Sequence, residues 1–380
     1  MKIRARHYLD GRWVELTVQD GVIDAVLDAD GPDETSSDDD GIAPAFWDIQ
    51  LNGRWGHSFS SPELTVEQVE RIVRAQGPLG TARLCPTLIT APEADLIHGL
   101  RTIAAACERS PDVARRVVGI HLEGPFLSEK EGYRGAHPAA AIRDPDVALF
   151  DRWQEAAGGR IALITMAPER PGSIEFIRDV RSRDVVVAIG HTAADGPTIR
   201  AAVEAGARLS THLGNGIAAM LSRHPNPIWN QAAEDGLSAS FIADGHHLDM
   251  ATLRVLARAK GASGSILVSD ASPLAGLPPG TYGEWAVDPS GKIVVAGTPY
   301  LAGSNQGLET GVRNLQFATG WDLADVLATA TTNPARLLGR PAPRLEPGEP
   351  ANFVLYRQPF TLASTCVDGE VLMSFDLENR

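Results

Sequence analysis

Three residues far apart in the chain, Glu123, His191 and His212, carry side chains that bind divalent cations, and each closes an apolar run just before a polar turn. Asp270 closes another run in the same way. One carboxylate and two imidazoles leave a position on a divalent cation for water, and a nearby carboxylate can take that water's proton. Metal-dependent hydrolysis is the chemistry this set would do. Each residue also has a plainer reading. Asp270 could cap a helix, Glu123 could be an ordinary paired glutamate, and a strand-end histidine could simply be packed. Two histidines at matching addresses, with a carboxylate at a third, shift the balance to a metal site.

Side chains so far apart need a scaffold that brings run ends together. Between residues 45 and 271 eight apolar runs recur: Ala45 to Leu51, Thr81 to Ile89, Val117 to Glu123, Ile161 to Ala167, Val185 to His191, Arg208 to Leu213, Leu237 to Ala243 and Ser265 to Asp270. Most are separated by stretches with helical periodicity, such as Val66 to Ala75, Ala94 to Cys107, Ile174 to Val180, Thr198 to Ala205 and Ala251 to Ala259. The expected fold class is α/β, a (β/α)8 barrel of the TIM type. Glu123, His191, His212 and Asp270 close runs three, five, six and eight, at the barrel face where active sites are built. A doubly wound sheet is the alternative, because strand order is not written in one sequence.

The chain ends differ from this middle. Residues 1–44 alternate in short segments around Asp10-Gly11 and Asp20-Gly21, and residues 345–380 do the same around Pro347-Gly348 and Asp368-Gly369, with strand-like runs Asn352 to Tyr356 and Thr365 to Phe375. The expectation is a small discontinuous β-sandwich built from both ends, flanking a barrel domain of residues 45–344. The acidic stretch Asp30 to Asp40 reads as a solvated loop.

Composition excludes several function classes. The 380 residues, 43% hydrophobic, are enough for a large buried core. A net charge of -14 with no cluster of five basic residues argues against nucleic acid or an anionic membrane as partner. Three cysteines, Cys85, Cys107 and Cys366, without CxxC spacing, fit neither a disulfide framework nor a zinc knuckle and suit a reducing cytoplasm. No apolar run has the length of a signal or a membrane span.

The segments His121-Leu122-Glu123-Gly124-Pro125, Gly190-His191-Thr192, Thr211-His212-Leu213, Ile242-Ala243-Asp244-Gly245-His246-His247 and Ser269-Asp270-Ala271 occur in an order and spacing similar to N-acetylglucosamine-6-phosphate deacetylases of the amidohydrolase superfamily. Pro86 to Thr90 and Ala302-Gly303-Ser304 extend the resemblance, which runs from about residue 44 to the end. It implies metal ligands at Glu123, His191 and His212, and a proton-transferring Asp270. His137 would stabilise an oxyanion, and Asn215, Gly216, Arg223 and His247 would bind the sugar phosphate. Where many amidohydrolases place a His-x-His pair for a second metal, this chain has Gln50 and Asn52. One divalent metal ion is therefore expected, zinc first, with iron or another divalent ion as alternatives. His121 reads as a partner behind the ligands, and His57 as a loop residue. A homodimer is what the resemblance implies.

Two departures concern the pocket wall. Asn215 lies between Gly214 and Gly216 where the family usually has an aromatic residue and an Ala, which would loosen the wall. After Arg223 comes His224-Pro225-Asn226-Pro227-Ile228-Trp229-Asn230 in place of a Glu-Pro-Gly stretch, putting a His and a Trp near the phosphate position. The expected activity is release of acetate from an N-acetyl amino sugar phosphate, N-acetylglucosamine 6-phosphate first. The rivals are deacylation of an altered or unphosphorylated sugar or an N-acyl amino acid, and a non-enzymatic sugar-phosphate sensor.

Overall fold

The eight apolar runs become eight parallel strands: Phe46–Leu51, Thr81–Ile89, Ile120–Glu123, Ile161–Met166, Val186–Ile189, Leu209–Ser210, Ser238–Phe241 and Ser265–Leu267. In this computed structural model residues 1–33, 36–298 and 300–373 are described. Positions 34 and 35 of the acidic loop, and 374–380 of the expected terminal sandwich, lie outside them. Each barrel strand pairs with the next in parallel, as Ile89 with Glu123 and Ile189 with Ser210. Leu51 bridges Ala271, and the Asp270 amide donates to the Gln50 carbonyl at 3.0 Å, so the last strand meets the first and the barrel closes. The doubly wound alternative falls, because an open sheet has no such contact.

Strand pleat decides which side chains face the axis. Ile120 and Leu122 point outward to the helices, packing with Leu88, Phe126, Phe150 and Trp153. His121 and Glu123 therefore point in. Below them Ile49, Cys85, Leu163, Ala188, Leu209, Ile266 and Val268 plug the barrel. Strands buried on both faces read as continuous apolar runs, which is why the sequence shows them.

Helices fall where periodicity placed them, at Val66–Ala75, Glu93–Arg109, Ser173–Arg181, Gly196–Ala205 and Met250–Gly264. Their starts are fixed by side chains. Thr65 and Gln68 cap one another's backbone, and Asp195 and Asp249 accept from the first-turn amides of theirs. Outside the barrel, Trp153 is fully buried and stacks on Phe126 at 5.4 Å, with Phe176 edge-on to Phe126. Trp153→Ala should cost about 3–5 kcal/mol of stability. Chemical denaturation should show the midpoint falling with an unchanged slope.

The chain ends form one seven-stranded sheet in the order 370–373, 361–367, 353–357, 40–44, 2–7, 13–19, 22–28. It curls back on itself: Val22 bridges Pro350, and the Ile23 amide donates to the Glu349 carbonyl at 2.9 Å. The core of this layer joins Val14, Leu16, Ile23, Ile42, Phe353 and Cys366. Both chain ends thus build one separate, curled β layer, as the sequence led one to expect. Three short strands, Gly280–Tyr282, Trp285–Val287 and Ile293–Val295, form a further insertion that the sequence reading did not foresee.

Candidate active site

The chain leaves the barrel abruptly at the residues that carry chemistry. His191, His212 and Asp270 take positive φ of 49°, 31° and 47°, a conformation uncommon for residues other than glycine. Their strands therefore stop short of the expected bounds, and the three side chains swing over the barrel mouth. Such local strain persists only where surrounding structure holds it, and it clusters at functional sites.

Glu123, His191 and His212 are buried, with candidate ligand atoms all within 4.8 Å of one another. Nε2 of His212 lies 2.9 Å and Nε2 of His191 3.3 Å from the same Glu123 oxygen, Oε1. His191 Nδ1 sits 3.0 Å from the Tyr133 carbonyl, so that nitrogen carries its proton and donates. In the neutral ring Nε2 then turns a lone pair toward a carboxylate, a repulsive arrangement unless a cation lies between. The donor set thus fits a divalent metal ion on chemical grounds. Burial alone would raise the Glu123 carboxyl, but hydrogen bonds from His191 and His212 outweigh it and hold it well below the usual range. Burial would lower His212, and the same carboxylate raises it instead.

Asp270 is buried beside this cluster. Burial, reinforced by the charge of Glu123, pushes its carboxyl up to about 6. Asn52 Nδ2 donates to Asp270 Oδ1 at 2.7 Å, and Gln50 Nε2 donates to Glu123 Oε1 at 3.0 Å. The first strand thus supplies amides that orient the two carboxylates, where a second metal's histidines would otherwise stand. Asn52→Ala frees the Asp270 carboxylate to rotate. Its expected result is a 10- to 100-fold loss of kcat, the size seen when an orienting partner behind a reactive group is lost, with KM little changed; steady-state kinetics checks it.

Behind these groups, His121 Nε2 meets the Thr165 hydroxyl at 2.8 Å and Nδ1 the Ile49 carbonyl at 3.1 Å. Burial holds it down to about 4, so it packs as a neutral ring beneath the site. Asp48, on the first strand, is fully buried there. Burial raises it to about 6 while Ser269 and Gln50 donate to it. His57 lies in a small hairpin, Gly53–Arg54 with His57–Ser58, away from the cavity.

A cavity of about 1180 Å³ opens over the cluster, lined by Asn52, Glu123, His137, His191, His212, Asn215, Gly216, His247 and Asp270 among others. Burial and then the charge of His191 push His137 down to about 3, so its ring is neutral. Its Nδ1 lies 2.9 Å from the Thr90 hydroxyl oxygen, whose hydrogen is directed to the Glu123 carbonyl at 3.4 Å, and its Nε2 lies 4.0 Å from Glu123 Oε2. His247 Nδ1 is held at 2.8 Å by Asp244, whose other oxygen accepts the His246 and His247 amides. Burial opposes ionisation of Asp244, but the His247 contact holds it far below the usual carboxylate range. Arg223 is not brought to this cavity. It is exposed on the loop before the helix Pro227–Ala232, as is His224, Trp229 is exposed on that helix, and none of the three lines the cavity. Arg134, unremarked in the sequence, does line it.

Residues 42–372 match the amidohydrolase family. The chain belongs to that family. The N-acetylglucosamine-6-phosphate deacetylase of Bos taurus is 35% identical over 345 residues, 87% of this chain and 83% of that protein. The N-acetylgalactosamine-6-phosphate deacetylase of Escherichia coli O157:H7 is 29% identical over 378 residues, 97% of this chain and 98% of that protein. Among solved structures, an Asp-to-Ala variant of N-acetyl-D-glucosamine-6-phosphate deacetylase from Mycobacterium smegmatis, in complex with N-acetyl-D-glucosamine-6-phosphate, superposes with a TM-score of 0.83. Its identity is 30%, over 95% of this chain and 94% of that one. The protein is a hydrolytic amidohydrolase of the N-acetylglucosamine-6-phosphate deacetylase type, acting on an amide.

In this amidohydrolase the two glycines beside Asn215 do not loosen the pocket, contrary to expectation. A Cβ on Gly216 would stand 2.7 Å from His191 Nδ1, and one on Gly214 2.9 Å from Leu248. The His191 ring and the Leu248 side chain fill the space. Both glycines have positive φ, 98° and 60°, so the loop's path and the closeness of the imidazole both call for glycine.

Proposed function

We propose that the protein hydrolyses the acetamide of N-acetylglucosamine 6-phosphate, releasing acetate and glucosamine 6-phosphate. The observation that carries this reading is the convergence of two imidazole nitrogens on one Glu123 oxygen, with the buried Asp270 beside them. Glu123, His191 and His212 would hold one divalent cation, zinc being the expected ion. Such an ion activates water toward neutral pH and polarises the acetyl carbonyl. Asp270 takes the proton of the attacking water and passes it to the departing amine nitrogen. Asn52 keeps the Asp270 carboxylate aimed. A proton on Nε2 of His137 would let it donate to the carbonyl oxygen as negative charge grows there. His247, fixed by Asp244, faces the cavity beside Asn215 and Gly216 to receive the sugar phosphate.

Acetate release from N-acetylglucosamine 6-phosphate tests the reading, with the galactosamine epimer and N-acetyl amino acids as comparison substrates. Turnover confined to an N-acyl amino acid would overturn it. A second reading, an unphosphorylated or altered amino sugar, is favoured by one feature. Arg134 is the only Lys or Arg among the described lining residues, whereas Glu131 and Glu284 add carboxylates at the mouth. Comparing the sugar with and without its phosphate separates the two.

The exposed apolar residues Met220, on the loop that carries Arg223, and Trp229, on the helix Pro227–Ala232 just after it, support a homodimer through this face, and light scattering tests it. No described helix is long and apolar enough to cross a membrane. The three cysteines are buried thiols, which fits a cytoplasmic location.

A further inference from the structure

We propose that Arg170 is a positioning residue for the hydrolysis: by gripping both ends of the segment 129–144, it holds that segment's His137 over the reacting groups. This rests on the role given to His137 above and adds a residue that does not line the cavity.

The segment lies between the third barrel strand, Ile120–Glu123, and the helix Val147–Ala156, and its regular structure is one short 3-10 turn, Ala139–Ala141. With so few backbone bonds of its own, it keeps its place through contacts with its surroundings. Yet it supplies one wall of the site. Arg134, Gly135, Ala136 and His137 line the cavity, and the Tyr133 carbonyl accepts from His191 Nδ1 at 3.0 Å. Gly135 lies against the same imidazole, where a Cβ would stand 3.1 Å from Cε1. Where the segment sits decides where His137 sits.

Arg170 is placed to set that position. It stands in the turn after the fourth barrel strand, Ile161–Met166, where its amide donates to the Ala167 carbonyl at 3.3 Å and its carbonyl accepts from the Ser173 amide at 3.1 Å. Nη1 of its guanidinium meets Glu129 Oε2 at 3.2 Å, and Nη2 meets Asp144 Oδ1 at 2.6 Å. These carboxylates stand at the two ends of the segment. Held on the two prongs of one planar fork, they fix the distance between those ends, which the point charge of a lysine would not do. The Arg170 side chain is only 14% exposed, so water and salt screen it less than an open surface pair. Its neighbour grips the site from the other side: Glu169 accepts from the Thr192 hydroxyl and, at 2.7 Å, from the Ala193 amide, just past His191. One turn thus ties His191 and the His137 segment to the same strand end. Each of these contacts is made within the chain, whatever covers the Met220 face.

The test is Arg170→Gln, read first on acetate release from N-acetylglucosamine 6-phosphate. Its kcat should fall about 10- to 100-fold with KM within about threefold of wild type, because a displaced His137 is missed chiefly in the transition state. Added to His137→Ala, it should cost no more than about twofold further, since residues that act through one group are not additive. Amide hydrogen exchange across 129–144 should quicken about tenfold while the thermal midpoint moves by no more than about 2 °C, local opening being separable from global unfolding. Arg183→Gln, which breaks pairs with Asp151 and Asp179 on the outer helices, should change none of these. If Arg170→Gln fails to fold, Glu129→Gln combined with Asp144→Asn removes the same grip from its exposed side, where the two side chains are 73% and 52% exposed. A kcat within about twofold of wild type, losses that simply add to those of His137→Ala, or unchanged exchange across the segment each overturn the proposal. No acetate from the wild type overturns the substrate reading instead, and the exchange result then decides the grip by itself.

Discussion

Asp270→Asn should yield a folded protein that releases acetate about 10³-fold more slowly or worse. A single positioned proton-transfer group contributes roughly 10²–10⁴-fold, and here one carboxylate serves both the attacking water and the leaving amine. The substitution is nearly isosteric and keeps a hydrogen bond to Asn52, so stability should change little. The buried site raises Asp270 to about 6, burial being the larger cause and Glu123 the next. A base must be unprotonated to act, so wild-type kcat/KM should fall as pH drops through about 6, or lower once a cation draws the proton off. That acid limb should vanish in the residual activity of the Asn variant. Activity within tenfold of wild type, or an unchanged limb, would show that another group moves the proton.

Glu123→Gln should cost as much or more, by a different route. Two imidazoles converge on one oxygen of this carboxylate. An amide in its place carries no negative charge and replaces one acceptor oxygen by a donor. The metal should be lost together with activity, and a metal's charge stabilisation of several kcal/mol corresponds to a factor of about 10³ or more. Elemental analysis of the purified variant should show the deficit beside a metal-bearing wild type. Chelation of the wild type should match the variant and be reversed by adding a divalent ion, whereas the variant should not be rescued. A variant that keeps stoichiometric metal would refute the assignment of Glu123 as ligand.

Gln50 connects the two predictions. It donates to the same Glu123 oxygen, and Asn52 two residues on donates to Asp270. Strand pleat puts both on the inner face. A histidine pair there would bring its own charge requirement; two amides satisfy both carboxylates and leave the net charge of the cluster to one cation.

The barrel was legible because its strands are buried on both faces and so are apolar throughout, and because the helices between them start at capping residues such as Thr65, Asp195 and Asp249. The insertion at 280–295 was not. Its strands are three residues each and partly exposed, too short for alternation to register. Among site residues, Glu123, His191, His212 and Asp270 announced themselves by type at the ends of apolar runs. Asp48, Thr90 and Arg134 gave no such signal, since a lone polar residue in a strand or loop looks alike whether it lines a cavity or faces solvent.

The sequence by itself determined the elements and the chemistry on offer, because burial pattern, caps and ligand-type side chains are local properties. Only the tertiary structure decided that the barrel closes through Leu51 and Ala271, that two imidazoles share one carboxylate oxygen, and that Arg223 faces outward. Those facts depend on distances between residues up to some two hundred positions apart along the chain, as Asn52 and Asp270 are. Such distances are set by how the layers pack, and packing is a property of the whole fold.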